Sequence, residues 1–104
     1  MTHQNLLSIA KEHGSPVYVY DAEKIESQYK RLTGAFKKVK NLRINYAVKA
    51  LSNLAVLQLI HGFGAGMDTV SIQEVRLALA AGIDPSKIMF TPNGVSLDEL
   101  EKVA

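Results

Sequence analysis

Lys49 is the residue whose type and position most directly suggest chemistry. It follows the largely apolar run Ile44–Val48, which is typical of a strand buried on both faces. A lysine amine that emerges from such a dry strand keeps a larger neutral fraction than one in water. The neutral amine is the form that attacks an aldehyde to make a Schiff base. The alternative is a lysine whose side chain extends from the strand end to water.

Polar residues also stand where later strands end. Ser71 and Glu74 form a Ser-x-x-Glu pair, the pattern of a capping box at the start of a helix, and this accounts for both residues without catalysis. Ser96 and Glu99 repeat the pattern. Asn93 is a weaker candidate for lining a site, since Pro-Asn-Gly is also a common turn.

The first part of the chain predicts two helices with a strand between them. A short helix ends near Gly14, a strand covers Pro16–Tyr20, and Asp21 is the cap of the next helix. That helix is predicted over residues 22–38, packed on a sheet, from apolar residues at helical spacing: Ile25, Tyr29, Leu32 and Phe36.

From residue 42 onward, strands and helices alternate. Strands are predicted near residues 43–48, 66–70 and 87–91, and helices near 53–61, 72–81 and after Ser96. This alternation predicts parallel pairing and right-handed crossovers, with an active site at the carboxyl ends of the strands. Lys49 lies at such an end.

Two α/β folds fit this order. One is a complete small doubly wound domain, and the other is the first three βα units of a (β/α)₈ barrel, which needs about 250 residues to close. The sequence stops within the last predicted helix, without a closing turn, so we expect it to be cut from a longer chain. Periodicity alone does not separate the two folds.

Composition narrows the class of protein. The 104 residues, 47% of them hydrophobic, suffice for one small globular domain. No apolar run has the length of a membrane span, and the start lacks the pattern of a signal peptide, so we expect a cytoplasmic protein without a membrane partner. The absence of cysteine excludes disulfides and thiolate chemistry within the chain.

Charge and histidine spacing argue against two further classes of site. The net charge is +2, and the one dense basic run, Lys37–Lys40, has no interleaved aromatic residues, so we expect a solvated helix end and no nucleic-acid partner. The three histidines lack the spacing of metal ligands, so no metal site is expected. The glycines of residues 62–66 precede a strand, whereas a phosphate-binding loop follows one. We therefore do not expect these glycines to form a dinucleotide-binding loop.

The segment Tyr46–Ala50 resembles the Tyr-Ala-Val-Lys-Ala signature of fold-type III pyridoxal-phosphate (PLP) enzymes. Five other segments are similar to diaminopimelate decarboxylases, more than to ornithine or arginine decarboxylases: residues 16–21, 52–57, 64–71, 79–83 and 87–96. Leu51, where an Asn is common, and Ile72-Gln73, where Gly-Gly is common, depart from the pattern. Alanine racemases usually continue with Tyr-Gly-His after the lysine, which residues 51–54 do not match.

The resemblance implies a fold and a set of site residues. Residues 22–104 would be the first three βα units of an alanine racemase-like (β/α)₈ barrel, and residues 1–21 would supply a helix and a strand of a C-terminal β-domain. Lys49 would be the catalytic lysine that binds PLP. Asp68, nineteen residues later, matches the acidic residue close to that lysine, although a strand-end Asp also caps turns. Ser71 and Glu74 would lie in a loop beside the cofactor.

The resemblance also implies PLP-dependent decarboxylation of meso-diaminopimelate to L-lysine by a homodimer, in lysine biosynthesis. It places the phosphate loop and the other cofactor contacts beyond Ala104, so we expect these 104 residues alone neither to catalyse nor to hold PLP tightly. Three alternatives remain: an ornithine- or arginine-type decarboxylase, a PLP-homeostasis protein on the same barrel, and a self-contained α/β interaction domain in which Lys49 is incidental.

Overall fold

The computed structural model describes residues 1–104 as one parallel sheet with helices packed against it. The elements are α1 (His3–His13), α2 (Ala22–Ala35), β1 (Asn45–Ala47), α3 (Leu54–Gly62), β2 (Gly66–Thr69), α4 (Ile72–Ala80), β3 (Ile88–Phe90) and α5 (Leu97–Val103), with 3₁₀ turns at Val48–Ala50 and Pro85–Lys87. The predicted alternation of strands and helices from residue 42 onward is confirmed.

The strands lie in the order β1-β2-β3 and pair in parallel, with β2 in the middle. Asp68 of β2 is opposite Ala47 of β1 and also opposite Met89 of β3. Directly opposed residues of parallel strands point to the same face of the sheet. We call the face that carries Ala47, Asp68 and Met89 the inner face.

Each α-helix begins at a side chain that accepts a hydrogen bond from the backbone N–H three residues later; the caps are Thr2, Asp21, Asn53, Ser71 and Ser96. Such caps satisfy amide groups that the first helical turn leaves without partners. The predicted cap at Asp21 is confirmed by the bond from the Lys24 N–H, 3.0 Å long. This bond and the nearby N-terminal ammonium group hold the pKa of Asp21 below its ordinary value.

The core lies on the face opposite the inner face. Its main cluster contains Val48, Leu57, Met67, Ala78, Ala81 and Ile83, contributed by the sheet, α3, α4 and the segments beside them. A second cluster contains Val56, Ile60 and Ala65, and Tyr46 packs against both clusters. Burial raises the pKa of the Tyr46 phenol, and the neighbouring Tyr20 raises it further. Because Tyr46 packs against both clusters, it joins β1 to both parts of the core.

The predicted packing of α2 is confirmed for only part of its apolar stripe. Ile25 and Tyr29 pack against the second cluster, and the Tyr29 ring lies 5.7 Å from that of Phe63. Leu32 and Phe36 are 44% and 45% exposed, so the apolar stripe is covered only along its first half. The helix ends at Ala35 instead of residue 38, and turns follow up to Asn41, which has a φ of 58°.

Residues 16–20, predicted as a strand, have no strand structure. A strand needs a partner for its backbone N–H and C=O groups, and no other segment of the chain pairs with this one. Tyr18 is 89% exposed as a result. The assignment of this segment to a β-domain stays a prediction.

None of the five α-helices has the length and hydropathy that crossing a membrane requires.

Gly66 gives a test of how closely β2 packs between its neighbours. A Cβ at this position would lie 2.5 Å from Asn45 Oδ1 and 2.6 Å from the Lys87 carbonyl oxygen, which belongs to the backbone and has little room to move.

We expect Gly66→Ala to lower the free energy of unfolding by about 1–3 kcal/mol, measured by urea denaturation. The control is Gly34→Ala, where nothing lies within 4 Å of the new Cβ. That change in a helix should stabilise by about 0.5–1 kcal/mol. Equal effects at both positions would contradict the close packing.

Candidate active site at the carboxyl edge of the sheet

Lys49 lies in the 3₁₀ turn that directly follows β1, at the carboxyl edge of the sheet, as predicted. The turn is anchored by Val48, which is fully buried in the main core cluster, and it closes with a 3.1 Å hydrogen bond from the Leu51 N–H to the Val48 carbonyl. The Lys49 side chain is exposed, and it makes no hydrogen bond or ion pair. Its amine is therefore accessible to a ligand.

The expectation that β1 is buried on both faces is wrong. Asn45 is exposed, and Tyr46 and Ala47 are half-buried. The reason is that β1 is an edge strand, with a neighbouring strand on one side only. Lys49 emerges from a strand with one dry face instead of two.

Asp68 lies on β2, one strand away from Lys49, and its side chain points to the inner face. It is half-buried, and its Oδ1 accepts a hydrogen bond of 2.5 Å from the Thr91 hydroxyl. Asp68 does not cap the turn that follows its own strand, so that alternative is wrong. No ion pair within 4.0 Å joins Asp68 to Lys49, although the register places Asp68 opposite Ala47, two residues before the lysine.

Ser71 and Glu74 stabilise the start of α4. Ser71 Oγ accepts a hydrogen bond from the Glu74 N–H at 3.3 Å, which confirms the predicted cap. Glu74 Oε2 accepts from the Val70 N–H at 2.8 Å, whereas a capping box has it accept from Ser71. Both side chains thus have structural partners, and their contact with a cofactor stays a prediction.

Asn93 and Thr91 both follow β3, and the part of Asn93 in lining a site stays a prediction. Asn93 is exposed in a bend and makes no hydrogen bond. Thr91 was missed, although it continues the alternation of β3 and so shares the face of Met89 and Asp68. The register of parallel strands was the signal that could have found it.

The chemistry of these side chains fits PLP. Its aldehyde requires an accessible primary amine, which Lys49 supplies, and the site also offers the Asp68 carboxylate and the Thr91 hydroxyl. These groups converge at the carboxyl ends of adjacent parallel strands, which is where ligands bind in such sheets. Of the three groups at this edge of the sheet, the Lys49 amine is the one that could hold the cofactor covalently.

A cavity of about 430 Å³ opens at the opposite edge of the sheet. It is lined by the amino ends of the strands and the residues just before them, including Arg43, Asn45, Gly66 and Lys87. None of the predicted site residues lines it, so this cavity is separate from the candidate active site.

A family model described as the pyridoxal-binding domain of pyridoxal-dependent decarboxylases matches residues 22–104. The chain is 42% identical to the diaminopimelate decarboxylase of Methanothermobacter thermautotrophicus over 91% of this chain and 22% of that protein. It is 43% identical to that of Helicobacter pylori strain J99 over 94% of this chain and 24% of that protein. The chain thus spans about a quarter of the length of the relatives it matches.

A solved structure shows the same fold. The crystal structure of diaminopimelate decarboxylase from Helicobacter pylori, complexed with L-lysine, matches with a TM-score of 0.83 at 39% identity, over 98% of this chain and 25% of that one. Strand order alone leaves two folds open, because β1-β2-β3 occurs in a doubly wound sheet as well as in a barrel. The structural match shows that this chain has the fold of the first three βα units of a PLP-decarboxylase barrel.

Ser71 allows its structural role to be tested. We expect Ser71→Ala to lower the free energy of unfolding by about 1 kcal/mol, because the Glu74 N–H loses its partner. Ser8→Ala is the control: Ser8 is an exposed residue within α1 whose side chain makes no hydrogen bond, and it should change stability by less than about 0.5 kcal/mol. Urea denaturation measures both. If the two variants were equally stable, the cap would not contribute.

Proposed function

The chain belongs to the family of pyridoxal-binding domains of pyridoxal-dependent decarboxylases, and on that premise we propose that the protein decarboxylates meso-diaminopimelate to L-lysine and CO₂ with PLP as cofactor. The observation that carries the proposal is the accessible, unpaired Lys49 amine at the carboxyl edge of the sheet, within the residues that match the pyridoxal-binding domain. The catalytic residue is Lys49.

PLP, when bound, supplies an electron sink for the carbanion that remains after CO₂ leaves. The residues of this chain bind and orient it. Lys49 offers the amine that reacts with the aldehyde, from a turn fixed by the buried Val48. The Asp68 carboxylate, one strand away, would attract the Lys49 amine in its protonated form. Ser71 and Glu74 lie at the start of the helix after β2, where they would border the cofactor.

The proposed substrate follows from the relatives named above. Those at 42% and 43% identity are diaminopimelate decarboxylases, and they match more than nine tenths of this chain. An ornithine- or arginine-type decarboxylase or a PLP-homeostasis protein is therefore the less supported reading. An α/β interaction domain with an incidental lysine is set aside because the family match includes Lys49.

We propose further that the protein works as a homodimer in the cytoplasm. Exposed apolar side chains of α1, such as Leu6 and Leu7, support the dimer because a second copy would cover them. The absence of cysteine agrees with a reducing compartment. Residues 16–20 would pair with a strand of the β-domain that the resemblance implies.

Lys49→Ala tests the assignment in the protein expressed from its natural gene. We expect the variant to lose the visible absorbance of bound PLP and at least about 10³-fold in kcat, since the covalent link to the cofactor is gone. Absorbance spectra and CO₂ release from meso-diaminopimelate measure the two effects. Lys38→Ala is the matched control, because Lys38 is exposed and unpaired beyond the end of α2.

The control variant should keep both properties. Normal turnover and an unchanged cofactor spectrum in Lys49→Ala would show that another residue holds PLP. Turnover of L-ornithine in preference to meso-diaminopimelate would leave the cofactor assignment intact and overturn the substrate.

A further inference from the structure

The Thr91 hydroxyl makes the one side-chain hydrogen bond that Asp68 has. The distance from Thr91 Oγ1 to Asp68 Oδ1 is 2.5 Å, and the only other acceptor near the hydroxyl, the Thr69 carbonyl, is 3.4 Å away. Bonds between a hydroxyl and a carboxylate are short at 2.5–2.7 Å and are about twice as strong as bonds between neutral groups. The carboxylate is therefore the principal partner of this hydroxyl.

The backbone holds Thr91 in place independently of its side chain. The Thr91 N–H donates to the Thr69 carbonyl at 2.8 Å, which extends the pairing of β2 and β3 by one residue. Removing the hydroxyl would leave that bond intact. The side chain is thus not needed to keep the strand end in position.

Thr69 provides a structural contrast on the same pair of strands. It is fully buried, and its hydroxyl donates to the Met89 carbonyl at 2.9 Å. That bond joins β2 to β3 within the sheet. Thr91 instead is exposed, and its hydroxyl contacts a charged side chain on the inner face.

A carboxylate has two oxygens that can each accept hydrogen bonds. The Thr91 bond occupies Oδ1 and restricts rotation of the Asp68 side chain, which leaves Oδ2 to interact with a cation at the carboxyl edge. Lys49 is the site lysine on the adjacent strand. A carboxylate oxygen that is held in one orientation attracts an ammonium group more effectively than one that rotates freely.

We propose that Thr91 is a positioning residue, which orients the Asp68 carboxylate toward the Lys49 amine and the bound cofactor. The proposal rests on the proposed function, since it assigns Thr91 a part in the same PLP site. Thr91 touches Asp68 and acts through it.

The test compares Thr91→Val, which keeps the shape and removes the hydroxyl, with Thr91→Ser, which keeps the hydroxyl. Measured by absorbance titration of the apoenzyme, the Kd for PLP should change about ten-fold in Thr91→Val, because the Lys49 amine would lose its oriented partner, and stay within about two-fold of the wild type in Thr91→Ser. In Asp68→Asn, adding Thr91→Val should change the Kd by less than about two-fold, because the partner of the hydroxyl is already altered.

Thr69→Val is the matched structural control. It removes a hydroxyl from the same strand pair, so it should lower the urea midpoint while leaving the Kd for PLP within about two-fold of the wild type. Thr91→Val should change the Kd with a smaller effect on the midpoint. A wild-type Kd in Thr91→Val, or failure of Thr91→Ser to restore it, would overturn the positioning role.

Lys49→Ala separates failure of this proposal from failure of the proposed function. If Lys49→Ala loses the cofactor absorbance while Thr91→Val binds PLP as the wild type does, the site assignment holds and only the role of Thr91 is wrong. If Lys49→Ala keeps the absorbance, the proposed function itself is wrong.

Discussion

The pairing of β2 with both β1 and β3 is the constraint on which the rest of the structure depends. Its parallel register sets Asp68 opposite Ala47 on one side and Met89 on the other. The same register carries Met67 and Thr69 into the buried side of the sheet, where both are fully buried. A shift of one residue would reverse the faces and place the Asp68 carboxylate in the apolar core. Packing of the core therefore also fixes the chemistry of the inner face.

Side chains at the N-termini of α4 and α5 stabilise the loop that follows β2. Ser71 and Glu74 together satisfy two backbone N–H groups between β2 and α4. Glu99 extends this arrangement between helices: its Oε1 accepts from the Ile72 N–H at 3.3 Å, whereas a capping box would direct it to Ser96. A carboxylate from α5 thus lies at the N-terminus of α4, where the helix dipole favours negative charge. The loop after β2 is held from two sides.

What the sequence could and could not predict follows from the range of the interactions involved. Ser71 and Asp21 were identified as caps because a cap depends on residues three positions apart. Lys49 and Asp68 were identified from strand ends and the resemblance. Thr91 was missed because its contact with Asp68 depends on the register between two strands, which local periodicity does not specify. The predicted burial of β1 on both faces was wrong for a related reason, since burial of an edge strand depends on what covers it.

The candidate site combines a lysine without a hydrogen-bond partner and a carboxylate that has one. Lys49 has a long side chain with no partner, so its amine can reach different positions from an anchored turn. Asp68 has a short side chain, rises from the central strand and is bonded to Thr91. On the proposed function, a lysine that bound and then released a cofactor would need freedom to move, whereas a carboxylate that attracted it would be most effective in a constant position. A permanent ion pair between Lys49 and Asp68 would oppose this, because the neutral amine is the form that reacts. The separation of the two groups in the structure fits that requirement, and the Thr91 bond explains how the carboxylate remains ordered without the lysine.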